Sequence, residues 1–337
     1  MSIRPTLTLL LFTALLGCVW GEPDSIAING FSKIHVQATP RQATLPAPTP
    51  PRLPLSTVFK GEAKFNAVIA KAERENWRKL PIGERTARIA RELVAIPYIN
   101  YSLEVDDKIE SPVANLTGMD CWTFYENSLA ISRMLAHKPG PYKPQDMLHM
   151  IEIERYRGGI CTGSFLSRLH HLEEVFHDNQ RRGYAINITS RIPGAQRLSR
   201  EIKEMTVQWQ SYRYLKNNPA LVPQMSEIEK QVSRLPVYHI PRTKVRAAEN
   251  YLQNGDICAI SSTSSGGYTS HVGLIVRINN RAYFAHATSD RDKGRMTIID
   301  RPITDYLTGS SDHAGIIICR PFDVPPSPLW KDIKKPR

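Results

Sequence analysis

Tyr268-Thr269-Ser270-His271-Val272-Gly273-Leu274-Ile275-Val276, then Asn279-Asn280, then Ala282-Tyr283-Phe284-Ala285-His286-Ala287-Thr288, is the stretch on which the fold turns. Two apolar runs rich in β-branched and aromatic residues flank a tight Asn-Asn pair, the pattern of a β-hairpin. His271 begins the first run and His286 ends the second, so the hairpin brings both imidazoles to one end. A lone histidine in such a run is a hydrogen-bonded core or surface residue. Two at the same end suit a general base and the group that holds it in the correct tautomer. Just upstream, Asn254-Gly255-Asp256 reads as a turn and Ile257 to Ile260 as another strand.

A base needs a nucleophile, and Gly118-Met119-Asp120-Cys121-Trp122-Thr123-Phe124 offers one. Gly118 and Asp120 supply a turn and an N-cap. Phe124, Ser128, Ile131 and Leu135 then recur at helical spacing, free of Gly and Pro to about Ala136. Cys121 is therefore expected at the first position of a largely buried helix. There the unsatisfied N–H groups and the helix dipole are expected to lower the thiol pKa and to hold an oxyanion. His170-His171 with Glu173 and Glu174 is the one alternative that hints at metal. Adjacent histidines on a helix diverge, so they make no chelating pair. No metal or organic cofactor is expected.

These segments resemble the NlpC-type branch of the papain-like cysteine peptidases, which hydrolyse peptidoglycan. The matches are Asp120-Cys121, Ser270-His271-Val272-Gly273 and His286-Ala287-Thr288. A closer resemblance, over most of residues 90 to 320, is to the N-acetylmuramoyl-L-alanine amidase-like subfamily. It rests on Pro97-Tyr98 with Leu103-Glu104, Asp120 to Phe124, Arg155-Tyr156-Arg157-Gly158-Gly159, Ser167-Arg168-Leu169-His170, His239-Ile240-Pro241 and Gly255-Asp256-Ile257. Tyr125 and His171 depart from the subfamily pattern, the first touching helix packing and the second the substrate pocket. The resemblance implies cleavage of the amide between muramic acid lactate and L-alanine, with a preference for anhydro-muropeptides. It also implies that the Tyr98 hydroxyl sits by the nucleophile and assists the oxyanion, a role for which Tyr101 competes. Asp120, Trp122 and Ser270 flank the catalytic residues and are expected to shape the substrate site. Arg157 and Arg168 are candidate bidentate clamps for a substrate carboxylate, against the alternative of helix-surface ion pairs.

The chain ends carry separate information. After Arg4 an apolar run extends from Leu7 to Leu16, the pattern of a secretory signal and too short for the roughly 20 residues a membrane span needs. It ends in Leu15-Leu16-Gly17-Cys18, which resembles a bacterial lipobox with Cys18 as the lipidated residue. Val19 in place of Asp resembles lipoproteins sent on to the outer membrane. The expected organisation is a signal peptide at 1–17, lipidated Cys18 with a Pro-rich tether to 57, a cysteine amidase domain at 58–325 and a basic tail at 326–337. Export, a periplasmic location and a membrane contact through the lipid anchor follow. The formal charge of +12 over 337 residues suits a polyanion. Export argues against nucleic acid and for a carboxylate-rich wall polymer or muropeptide fragments. Beyond Cys18 and Cys121, an oxidising compartment permits disulfides among Cys161, Cys258 and Cys319, the last two also reading as buried strand thiols.

The expected fold is α+β, papain-like and NlpC-type, with the nucleophile helix packed on an antiparallel sheet. Residues 140–240, with mostly helical patterns, are expected to be an insertion that shapes the cleft. The expected activity is amide hydrolysis through a Cys121 thioester with His271 as base and His286 as the third member. A D-glutamyl-diaminopimelate endopeptidase would use the same triad. A non-catalytic muropeptide-binding lipoprotein and an acyltransferase are the other readings.

Overall fold

The computed structural model of the chain describes residues 51–264 and 266–325. The expected signal peptide, Cys18, the tether as far as residue 50 and the basic tail lie outside the described residues. Eight strands form one sheet: β1 (Ala185–Asn187), β2 (Gln196–Leu198), β3 (Val237–Pro241), β4 (Ile257–Ser262), β5 (Thr269–Ile278), β6 (Arg281–Ala287), β7 (Thr297–Pro302) and β8 (His313–Pro321). Their order is β2-β3-β8-β4-β5-β6-β7, with β1 also paired to β8, and every neighbouring pair is antiparallel.

The β5–β6 hairpin turns at Asn279 and Asn280, both at positive φ (47° and 62°). Two such residues in succession make the primed turn whose twist matches the strands, and Asn tolerates that region better than other non-glycine residues. Gly273 of β5 has a different reason to be glycine. A Cβ there would stand 2.3 Å from the Ala285 carbonyl oxygen and 2.7 Å from the Phe284 ring. The backbone of β6 can close on β5 only because that atom is missing.

Six longer helices accompany the sheet: α1 (Glu62–Arg74), α2 (Ile82–Glu92), α3 (Cys121–His137), α4 (Pro144–Arg155), α5 (Leu172–Arg181) and α6 (Val222–Ser233). Helix α3 lies across β5 and β6 and is flanked by α2 and α4, so the whole run from Thr123 to Leu135 is buried. A helix enclosed on all sides must satisfy its polar side chains internally. Glu126 receives two guanidinium nitrogens of buried Arg155 at 2.5–3.0 Å. Arg133 pairs with Glu154 and donates to the Tyr184 carbonyl at 2.7 Å. Removing one partner of such a buried pair costs about 3–5 kcal/mol. Arg155 is thereby a structural residue.

The fold class is α+β. Residues 140–240 contribute α4, α5 and α6, and also β1, β2 and β3, which widen the sheet beyond β8. Cys121, Cys161, Cys258 and Cys319 are all free thiols. Cys258 and Cys319 sit buried on adjacent strands β4 and β8, packed into different core clusters.

Candidate active site

Asp120 fixes where α3 begins. Its Oδ1 accepts the Thr123 backbone N–H at 2.8 Å, while Thr123 Oγ1 accepts the Asp120 N–H at 3.0 Å, a reciprocal cap. Asp120 Oδ2 accepts the Ser102 hydroxyl at 2.6 Å. The cap sets half-buried Cys121 at the first helical position, facing β5, with the N–H groups of Val272, Trp122 and Cys121 itself directed at the sulfur. The expected lowering of the thiol pKa is not what this setting produces. Burial pushes the thiol up to about 12, the Asp120 carboxylate adds to the rise, and the three N–H groups only oppose it. Desolvation thus outweighs the helix terminus, and Cys121 rests as a neutral thiol.

The hairpin holds the two histidines of the candidate site. His271 Nε2 and His286 Nδ1 are 2.8 Å apart, with the rings nearly perpendicular at 88°. His286 is buried, stacked on Phe284, and its Nε2 lies 3.5 Å from Asp300 Oδ2 on β7. Lys293 donates to the same Asp300 oxygen at 2.5 Å and Arg301 to the other at 3.2 Å. Burial alone would raise the Asp300 carboxyl, but the hydrogen bonds from His286, Lys293 and Arg301 hold it well below its usual range. An ionised Asp300 only accepts, which assigns the proton on His286 to Nε2. His286 Nδ1 then accepts from His271 Nε2–H, leaving Nδ1 as the free lone pair of His271. Burial lowers the pKa of both imidazoles, with mutual repulsion adding at His271, so both rest neutral near pH 7. Asp300 and Lys293 were not legible as site residues in the sequence. An acidic residue after the apolar run Ile298-Ile299 is their only trace there.

Cys121, Ser270 and His271 line two cavities at once, a narrow one of about 310 Å³ and a wide one of about 660 Å³. Trp122 and Arg168 belong to the narrow cavity; Tyr98, His286 and Lys293 belong to the wide one. Tyr98 is half-buried, and burial together with the neighbouring thiol raises its pKa. Tyr101, by contrast, is 73% exposed and lines only the narrow cavity. The two candidate clamps part company. Arg157 lines neither cavity and pairs with Glu174 of α5. Arg168 does reach the narrow cavity, but Glu104 at 3.7 Å and Glu110 at 3.9 Å already balance its charge. Arg157 therefore does not reach the site, whereas Arg168 does, with its Nη1 lacking a hydrogen-bond partner among the described residues. His170 bonds through Nε2 to the Phe165 carbonyl at 2.9 Å, while His171 Nε2 lies 3.8 Å from Glu229, so the two rings do diverge.

A model of the N-acetylmuramoyl-L-alanine amidase-like family matches residues 88–316, which hold the helix, the hairpin and β7. The chain belongs to that family. It is a family of amidase-like hydrolases directed at peptidoglycan. Among solved structures, an N-acetylmuramoyl-L-alanine amidase from Bacteroides uniformis superposes with a TM-score of 0.65 at 26% identity, covering 72% of this chain and 99% of that one. A second structure so named from the same organism gives 0.64 at 25% identity, covering 71% and 98%. A Legionella pneumophila protein shares the fold at 19% identity, with a TM-score of 0.58 over 79% of this chain and 96% of that one. No curated protein matches the chain. The matched range contains Cys121, His271, His286 and Asp300.

Proposed function

We propose that this chain hydrolyses the amide between N-acetylmuramic acid, in its anhydro form, and L-alanine, by a cysteine thioester mechanism on a papain-like NlpC-type scaffold. One observation carries the reading: a neutral thiol at a helix start faces a strand whose histidine is backed by a second histidine and an ionised carboxylate. His271 Nδ1 takes the thiol proton as sulfur bonds to the lactyl carbonyl carbon. The new imidazolium is stabilised through His286 by Asp300, and the oxyanion by backbone N–H groups at the start of α3 with the Tyr98 hydroxyl alongside. The C–N bond then breaks as His271 returns the proton to the departing L-alanine amine. Water, deprotonated by His271, attacks the thioester; the carboxylic acid leaves and the thiol is restored. A high resting thiol pKa makes proton transfer part of the attack rather than a prior equilibrium.

Two groups of observations bear on the surroundings of this reaction. The apolar run after Arg4 and the Leu15-Leu16-Gly17-Cys18 sequence support an exported protein, lipidated at Cys18 and held at the outer membrane. The acidic side chains Glu104 and Glu173 in the narrow cavity favour a second reading, the D-glutamyl-diaminopimelate endopeptidase, because they could receive the free amino terminus of a stem peptide. Mass spectrometry of a defined anhydro-muropeptide separates the two. The amidase releases an intact stem peptide starting at L-alanine, and the Cys121→Ala protein releases none. Cleavage inside the stem by the unmodified protein would overturn the amidase reading.

A further inference from the structure

Five rings crowd one end of the hairpin: His271, Phe284, His286, Tyr306 and His313. Tyr306 is the one that contacts all the others, with centroids 6.3 Å from His271, 4.7 Å from Phe284, 5.1 Å from His286 and 5.1 Å from His313. It ends the short helical turn Ile303–Tyr306 that follows β7. Ile303 and Leu307 on either side are fully buried in the core cluster that also holds Phe284, so the turn is anchored. The ring itself is half-buried and lines the wide cavity with His271, His286 and Lys293. Lys293 Nζ lies 5.6 Å from its centroid. The Tyr306 hydroxyl hydrogen-bonds to none of the described residues.

The polar contacts of the histidine pair do not by themselves fix its rings. His286 Nε2 and Asp300 Oδ2 are 3.5 Å apart, at the long limit of a hydrogen bond, which constrains the ring plane weakly. The 2.8 Å bond between the imidazoles sets a distance but not the 88° between their planes. Phe284 stacks on His286 at 20°, yet it is a near neighbour on the same strand and moves with it. Tyr306 is carried by a different element and meets His286 at 70° and His271 at 18°. Aromatic pairs in the range of about 4.5–7 Å contribute about 0.5–1.5 kcal/mol each beyond burial. Direct stabilisation of an imidazolium on His271 is the weaker effect, because 6.3 Å lies outside the roughly 6 Å over which a cation gains from a ring face. We propose that Tyr306 is a positioning residue: its ring, not its hydroxyl, holds His271 and His286 perpendicular, frees His271 Nδ1 for the thiol proton and keeps water off the bond between the imidazoles. His313, stacked on Tyr306 at 14° from the start of β8, supports the ring. This rests on the cysteine-hydrolase reading for the role of His271, and not on which amide is cut.

Steady-state kinetics of stem-peptide release and histidine-selective ¹⁵N spectra of the full chain test the assignment. The groups that face the pair are Cys121 of α3, Tyr98, Lys293, Asp300 and Arg301 of β7, and His313 of β8. Kinetics are therefore compared at pH 8, where burial keeps His271, His286 and His313 neutral. Tyr306→Phe keeps the ring and should hold kcat within about twofold. Tyr306→Leu fills the space without a flat face and should lower kcat by about tenfold or more, with KM within about twofold. In the spectra, the His271 Nε2–H signal should persist in the Phe variant and be lost to water exchange in the Leu variant. Where the Leu variant does not fold, His313→Ala at the partly exposed end of the cluster decides: kcat should fall by about threefold with KM unchanged. Equal losses in the Phe and Leu variants would make the hydroxyl the working group and overturn the proposal. So would a raised KM with kcat intact, full activity of the Leu variant, or, where that variant is unfolded, full kcat in His313→Ala. A different product from the unmodified protein would overturn the amidase reading instead, and the spectra, which need no substrate, judge Tyr306 independently of it.

Discussion

Asp300 and Glu173 are carboxyl groups of largely buried side chains in the walls of one candidate site, and their surroundings drive them apart. Asp300 stands behind the two histidines and receives donors from His286, Lys293 and Arg301, so it is ionised despite its burial. Glu173 stands at the head of α5 in the wall of the narrow cavity with one oxygen unpartnered, and burial lifts it to about 7. The residue type decides neither state; the number of donors each carboxyl finds does. A carboxylate kept charged suits the stabilisation of an imidazolium, and one kept near neutrality suits contact with an uncharged ligand.

The largest effect expected concerns the group Asp300 serves. His271→Ala should lower kcat by about 10⁴-fold, measured by release of stem peptide, because both the proton acceptor and the proton donor to the amine are lost. A loss below about tenfold would remove the reason for Asp300 to be charged. Asp300→Asn should lower kcat by about 10²-fold. It should also move the acid limb of the pH profile, which lies below the ordinary histidine value, to still lower pH. The sign follows because a carboxylate favours the protonated imidazole and its removal disfavours it. An unmoved limb would make Asp300 a plain structural partner of Lys293.

Glu173→Gln tests the other side through stability. The folded-state pKa of about 7 lies above the ordinary 4.5, so this group's contribution is full below about pH 4.5 and is lost as pH rises through about 7. The Gln variant should therefore unfold at higher temperature than the parent at pH 8, by the equivalent of about 1–3 kcal/mol, and match it at pH 4.5. Equal shifts at both pH values would refute the raised carboxyl. The smallest change expected is from Asp120→Asn, which keeps an equally good cap but removes the charge beside the thiol. Alkylation of Cys121 followed by mass spectrometry should show its pH–rate curve moved to lower pH, with stability altered by less than about 0.5 kcal/mol.

What the sequence made legible was local. The Asn279-Asn280 turn and the apolar runs on either side set the hairpin register, and with it the meeting of His271 and His286. Asp120 and the spacing of Phe124, Ser128, Ile131 and Leu135 marked the start and burial of α3. Asp300 was hidden because its approach to His286 depends on a register shift between Tyr283 and Ala285 along β6, which no pattern in β7 announces. The strands β1 and β2 span three residues each, too few to show a period, so residues 140–240 read as mostly helical. Arg157 and Arg168 looked equivalent in sequence, and only the positions of Glu174, Glu104 and Glu110 separate them. The thiol pKa was misjudged because a helix start is visible in sequence, whereas the burial that overrides it is set by the tertiary fold.

The hairpin has a consequence for how the protein folds. His271 and His286 are joined by a short loop of chain, so their pairing is a low-contact-order event, and isolated hairpins close in about 1–10 μs. The helix bearing Cys121 comes from a distant part of the chain and must dock across the hairpin through long-range contacts that form late. A folding intermediate with the hairpin made and that helix undocked would hold a base with nothing to deprotonate. Hydrolytic competence and completion of the native topology would then appear in the same kinetic phase.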